Sequence, residues 1–256
     1  MNRKVICNVI LILLLSSCIK PVDIDLATHT QKLVINTFLS NGDTIKVHLS
    51  KSQGQKEALQ SYLLNALVVI SAEGLTDTLE LGADGWYCSE WTACENTKYD
   101  IEVSSAGFET VIASETVPEP PVFNLENYIA RTKVNEMGYY SSSLDVVIDD
   151  DLTETQYYAI SQKNHKTVRR VDEGTYGNGI QSPSPELLIQ NEDKTTGILF
   201  FSNAPFHDKN ELRFTIEFAY SNNIDSVDIY VRALSFEYYT YIKSLTKHTW
   251  GQNTDD

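Results

Sequence analysis

The sequence predicts a mainly β protein: two β-sandwich-like domains in series, the second carrying one C-terminal amphipathic helix. Three observations carry that prediction. Apolar runs of strand length recur at short spacing, separated by turn pairs such as Asn41-Gly42, Glu73-Gly74, Asp84-Gly85 and Ala106-Gly107. Pro118-Glu119-Pro120-Pro121 interrupts them, and three of its four residues lack the N–H a sheet needs. After Ser235 the apolar period lengthens from that of a strand to that of a helix.

The first domain is expected over residues 31–117. Gln31 to Ser40 is a dense apolar run, Asn41-Gly42-Asp43 turns, and Ile45, Val47 and Leu49 alternate with Lys46, His48 and Ser50. Two such runs across an Asn-Gly pair make a hairpin. Residues 51–62 are polar and glutamine-rich, a loop. Leu64 to Ser71, Leu75 to Leu81, Trp86 to Trp91, Tyr99 to Val103 and Phe108 to Val117 follow as strands, seven in all with no helical stretch among them. That count and spacing predict a sandwich of about 95 residues, Ig-like in outline.

Residues 118–121 form a proline-rich hinge, semi-rigid because polyproline is extended. The second domain, 122–256, opens with Phe123 to Thr132. Leu144, Val146 and Ile148 alternate ahead of Asp149-Asp150-Asp151, and Gln156 to Gln162 is a short aromatic strand. Residues 172–186, with Gly174, Gly177, Gly179, Pro183 and Pro185, are too punctuated for a regular element. Gly197 to Ser202 and Glu211 to Tyr220 are strands, and Val227, Ile229, Val231 and Ala233 share one face of the next. Tyr238, Ile242, Leu245 and Thr249 then recur at helical spacing, so a helix is expected over 236–248, capped by Ser235, with Glu237 at the positive end of its dipole. Its aromatic residues are expected to pack on a sheet.

The N-terminus locates the protein. Arg3 and Lys4 precede an apolar run from Val5 to Leu15, broken only by Cys7 and Asn8, and Leu15-Ser16-Ser17-Cys18 closes it. This is a secretory signal with cysteine at the cleavage position. It resembles the bacterial lipobox, which implies removal of residues 1–17, acylation of Cys18, and a tether over 18–30. The run is about half the roughly 20 apolar residues that span a bilayer, so acyl chains would be the attachment.

Cleavage leaves 239 of the 256 residues; the formal charge moves from −15 to −17, because Arg3 and Lys4 leave and residues 1–17 hold no acid. So acidic a body excludes a basic nucleic-acid interface. Cys88 and Cys94 are the remaining thiols besides Cys18, and in an oxidising envelope a local disulfide between them is favoured over two reduced or buried cysteines. Further ligands for zinc are not close in sequence.

No catalytic constellation is visible, and neither metal nor cofactor is expected. His29, His48, His165, His207 and His248 are scattered, with no His-x-x-x-His, Cys-x-x-Cys, Gly-x-Ser-x-Gly or phosphate-loop pattern. Asp149-Asp150-Asp151 offers carboxylates of the kind calcium takes, but consecutive residues of an extended chain point to opposite faces, which favours a solvated turn. Phe206-His207-Asp208 reads as a plain loop. Residues 172–186 are long enough to be a recognition loop, though Tyr176 is their one aromatic.

The order of features resembles a Bacteroidota family of outer-membrane lipoproteins of unknown function. The resemblance rests on Val22-Asp23-Ile24-Asp25-Leu26 after the lipobox, Lys32 to Ile35, Asn41-Gly42, Leu49-Ser50-Lys51-Ser52 and Val117 to Pro121. Further along it rests on Asp149 to Ile160, Phe201-Ser202-Asn203 and Tyr238 to Leu245. It implies two β domains, the first similar to transthyretin-like or carboxypeptidase-regulatory-like modules, and a TonB-dependent outer-membrane receptor as a frequent genomic neighbour. Members of that family usually continue beyond the helix, which implies a truncated second domain here. No catalytic residues come with the resemblance. The expectation is thus a non-enzymatic accessory or ligand-capture protein beside such a receptor. A structural or adhesive spacer and, last, a hydrolase with a dispersed site are the alternatives.

Overall fold

A computed structural model describes residues 30–53, 63–134, 140–165, 179–188, 197–220 and 226–253, with backbone alone at 220 and 247–253. These residues form four antiparallel sheets, which pair into two sandwiches.

The first sandwich faces a sheet of order β1 (Leu33–Thr37), β2 (Thr44–Lys51), β6 (Trp86–Thr92), β5 (Glu80–Leu81) against one of order β4 (Leu75–Thr78), β3 (Ala66–Ala72), β7 (Lys98–Ser105), β8 (Val111–Thr116). The alternation read in β2 sends Ile45, Val47 and Leu49 inward, where they meet Val68, Ile70, Tyr99, Ile101 and Val103. The run from Leu75 to Leu81 does not remain one strand. It crosses between the sheets at buried Leu79, so β4 pairs with β3 and β5 pairs with β6. A polar atom in this core is satisfied: the Tyr87 hydroxyl donates to the Leu63 carbonyl (3.2 Å) and accepts from the Ala66 N–H (3.1 Å). Glu73 and Gly74 both take positive φ, 52° and 79°, closing the two-residue β3–β4 turn that matches strand twist.

The second sandwich faces β13 (Leu212–Tyr220), β10 (Tyr140–Asp149), β9 (Val122–Val134) against β12 (Leu199–Ser202), β11 (Tyr157–His165), β14 (Ser226–Leu234). Leu144, Val146, Ile148, Ile160, Phe201, Phe214 and Ile216 form its core. Ile180, from the segment read as irregular, and Leu187, just past it in the one-turn helix α1 (Pro185–Leu188), join that core. Gln181 exchanges backbone hydrogen bonds with Glu217, extending the sheet beyond β13. Gly179 lies against the backbone of Gly197, a contact no side chain could share. The first core ends at Val117, and Phe123 packs on the second.

Helix α2 (Phe236–Asn253) runs five residues beyond the expected end. Ser235 caps it: its hydroxyl accepts from the Tyr238 N–H at 3.2 Å. Tyr239 and Phe236 lie against Tyr157 of β11, with ring centroids at 4.6 and 5.6 Å. The sheltered side carries Tyr238, Tyr239, Ile242 and buried Thr246, whereas Leu245, expected on that side, is 45 % exposed. The helix meets β11 through Phe236 and Tyr239 and the β1–β2 connection through Tyr238, which packs on Phe38.

Candidate functional site

Cys18, His29 and Tyr176 lie outside the described residues. Cys88 and Cys94 do not form the expected bridge: both are free thiols. The reason is local. Strand β6 runs on through Thr92, so the chain leaves Cys88 extended, and four residues of strand cover about 13 Å. A disulfide needs Cα atoms within about 7 Å. The Cys88 sulfur sits 3.9 Å from the Trp86 carbonyl and that of exposed Cys94 3.8 Å from the Thr92 carbonyl.

The acidic triplet is divided among separate tasks. Asp149 ends β10 and faces solvent. Asp151 closes its own turn, accepting at one oxygen from the Thr153 N–H (2.9 Å) and hydroxyl (2.7 Å), which hold its pKa below the usual aspartate value. Asp150 turns inward to Asn203, whose Nδ2 donates to it at 2.6 Å. Among the described residues no three His, Cys, Asp or Glu side chains are placed to share a metal ion.

Asn203 is the hub of this end of the second sandwich, and it is fully buried. Besides Asp150, its amide donates to the Glu154 carbonyl (2.9 Å), and its oxygen accepts from the Gln156 N–H (2.9 Å) and faces His207 Nε2 (3.3 Å). Its backbone N–H reaches the Gln156 carbonyl (3.0 Å). Tyr158 completes the group: burial first, then the Asp150 carboxylate that its hydroxyl meets, raise the phenol far above its ordinary pKa and keep it a donor. With its amide and carbonyl both engaged, Asn203 fastens the β10–β11 turn to the β12–β13 turn. This is a structural brace, and it explains the residue types of the Asp149–Asp151 and Phe201–Asn203 segments.

The surface of this sandwich is another matter. Strand β9 is an edge strand of 13 residues, and all but Phe123 are exposed. Val122, Leu125, Tyr128, Ile129 and Val134 are each between 45 % and 68 % exposed. Two irregularities shape it. Ala130, Arg131 and Thr132 stand opposite Ser142 alone, and Asn127 and Tyr128 opposite Leu144. Asn127 and Arg131 take positive φ, 51° and 56°, as bulged residues do.

Side chains of β10 pin both bulges. Ser142 Oγ accepts from the Arg131 N–H (3.1 Å), replacing a ladder bond. Asn127 donates to Asp145 (2.8 Å), which also accepts from the Thr215 hydroxyl (2.7 Å). These two bonds, with Arg213 nearby, hold the Asp145 pKa below its ordinary value. Arg213 in turn bonds Glu126 and Glu211, both at 2.8 Å, and its pKa is raised. The apolar side chains of β9 are therefore held in place on a braced strand. Sequence reading missed this strip because the pattern Val-Phe-Asn-Leu-Glu-Asn-Tyr-Ile reads equally well as a half-buried strand.

No helix among the described residues is long and apolar enough to cross a membrane, which leaves strand-built spans unaddressed. Fold and surface of the described residues together define a mainly β protein of two sandwiches, braced by polar hubs, with apolar side chains exposed on the edge strand β9. The chain belongs to the family described as Domain of unknown function (DUF4249), whose model matches residues 19–255. No curated protein matches it.

Proposed function

We propose that this is a lipid-anchored envelope protein, held to the outer membrane through Cys18, that acts without catalysis as an accessory or ligand-capture protein beside a TonB-dependent receptor. The single observation that carries the binding role is the apolar strip of β9. Scattered exposed apolar residues are ordinary, but five on one 13-residue edge strand are a concentration that favours an interaction site. A passive spacer calls for a uniformly polar outer surface, and β9 interrupts one with exposed apolar residues. The lipobox residues Leu15 to Cys18 and the family resemblance support the anchor and the receptor.

The experiment is an affinity isolation of the full chain from detergent-solubilised outer membranes, compared with a Tyr128→Ser, Ile129→Lys variant. A TonB-dependent receptor should accompany the parent and be lost from the variant. Isolation of the parent with no such receptor overturns the proposal. In parallel, Cys18→Ala should leave the membrane fraction, and its continued sedimentation with membranes would remove the anchor.

A further inference from the structure

Phe38, in the β1–β2 connection, is an aromatic on a loop and is 64 % exposed. Its own sandwich gives it no evident reason to be there. Its partner is in the other half of the chain: Tyr238, in the first turn of α2, meets it edge to face, with centroids 5.0 Å apart and planes at 81°. Beside this pair, the capping Ser235 uses its hydroxyl twice. It accepts from the Tyr238 N–H and donates to Glu115 Oε2 of β8 at 3.0 Å. Glu115 is oriented for this, because its other oxygen accepts from the Thr116 N–H at 2.9 Å. A carboxylate from the first sandwich therefore sits at the positive end of a helix that belongs to the second.

Among the described residues no strand of one sandwich pairs with a strand of the other. The covalent link between them, residues 118–121, is tied to the first sandwich, since Val117 exchanges backbone bonds with Asn96 and Thr97 and Asn96 donates to Glu119 (3.2 Å). A proline-rich segment so held is stiff along its length and bends at its ends.

We propose that the first turn of α2 is a latch. Through Phe38–Tyr238 and Glu115–Ser235 it holds the two sandwiches at one angle, and its release lets them swing about the far end of the proline segment. The ring pair and the hydrogen bond both lie at part-exposed positions, which suits a device that opens. The latch stands apart from whatever β9 binds.

The test measures the distance between genetically encoded spin labels at Glu102 on β7 and Lys163 on β11, in the detergent-solubilised full chain. Both positions are exposed, and neither touches the latch. The parent should show a single narrow distance distribution. Phe38→Ala combined with Glu115→Ala should broaden it and add a longer-distance population, while Ile112→Ala, a neighbouring surface change on β8, should leave it narrow. Both latch substitutions lie on the first sandwich, so the cap of α2 is retained, and an unchanged circular dichroism spectrum confirms the fold. A parent distribution already broad, or a double variant as narrow as the parent, overturns the latch.

Discussion

Single residues here act through what they leave unpaired when removed. Asn203 is buried, and replacing it with alanine strips partners from the Gln156 N–H, the Glu154 carbonyl and the Asp150 carboxylate together. An orphaned buried polar group costs about 1–3 kcal/mol. Asn203→Ala should therefore destabilise the second sandwich by about 2–4 kcal/mol in urea titrations, since the three groups overlap and some regain water. A loss below 0.5 kcal/mol, on the order of an ordinary surface substitution, would show the brace to be dispensable. The cysteines make a simpler prediction. With β6 extended between them, both Cys88 and Cys94 should be alkylated in the native protein, exposed Cys94 first. A Cys88–Cys94 linked peptide in a non-reduced digest would contradict the extended geometry of 86–92.

At the scale of elements, β9 shows how an edge strand is kept regular enough to present side chains yet irregular enough not to recruit a stray strand. Bulges at Asn127 and Arg131 twist the edge, which discourages edge-to-edge pairing. Their pins on β10 carry the consequence. Ser142→Ala leaves the Arg131 N–H without its acceptor and should cost about 1–2 kcal/mol in chemical denaturation, with faster amide exchange confined to 128–133. The Asp145 pin has a pH signature. Its folded pKa lies below the ordinary 3.8, chiefly through Asn127 and Thr215, so its contribution is complete above that value and is lost as pH falls through the lower folded one. The stability gap between the parent and Asp145→Asn should be full near about pH 6 and narrow below about pH 4. A gap constant down to the acid transition would remove Asp145 from the brace. Helix α2 is the other instructive element. Its spacing predicted a stripe through Leu245, but its contacts turn it onto Tyr238, Tyr239, Ile242 and Thr246, because Tyr157 of β11 meets Tyr239 and Phe38 of the β1–β2 connection meets Tyr238.

For the whole molecule, the decisive fact is that the described residues form two cores, one bounded by Val117 and one joined by Phe123. Phe201 is fully buried among Tyr158 and Phe214, and Phe201→Ala should cost about 3–5 kcal/mol. Because it belongs to one core alone, the loss should appear in hydrogen exchange as weaker protection of β10, β11 and β13, with β2, β3 and β7 unchanged. Uniform loss across both sandwiches would mean that they fold as one unit.

The mainly β class, the order of strands, the break at Pro118–Pro121 and the cap at Ser235 were all legible in the chain. Each depends on residues adjacent in sequence: alternation sets a strand's buried face, a missing N–H stops a ladder, and a hydroxyl three residues ahead caps a helix. Pairings across distance were not legible. Nothing in Leu75 to Leu81 says that the strand changes sheet at Leu79, since that depends on which neighbours β3 and β6 leave free. Asn203 looks like any turn asparagine until the fold brings Asp150 and Gln156 to it. The exposure of Leu125, Tyr128 and Ile129 follows from β9 lying at an edge, and edge or centre is a property of the sheet rather than of the strand. Local pattern determines what each segment becomes; only the assembled sandwiches decide which apolar faces are covered and which remain for a partner.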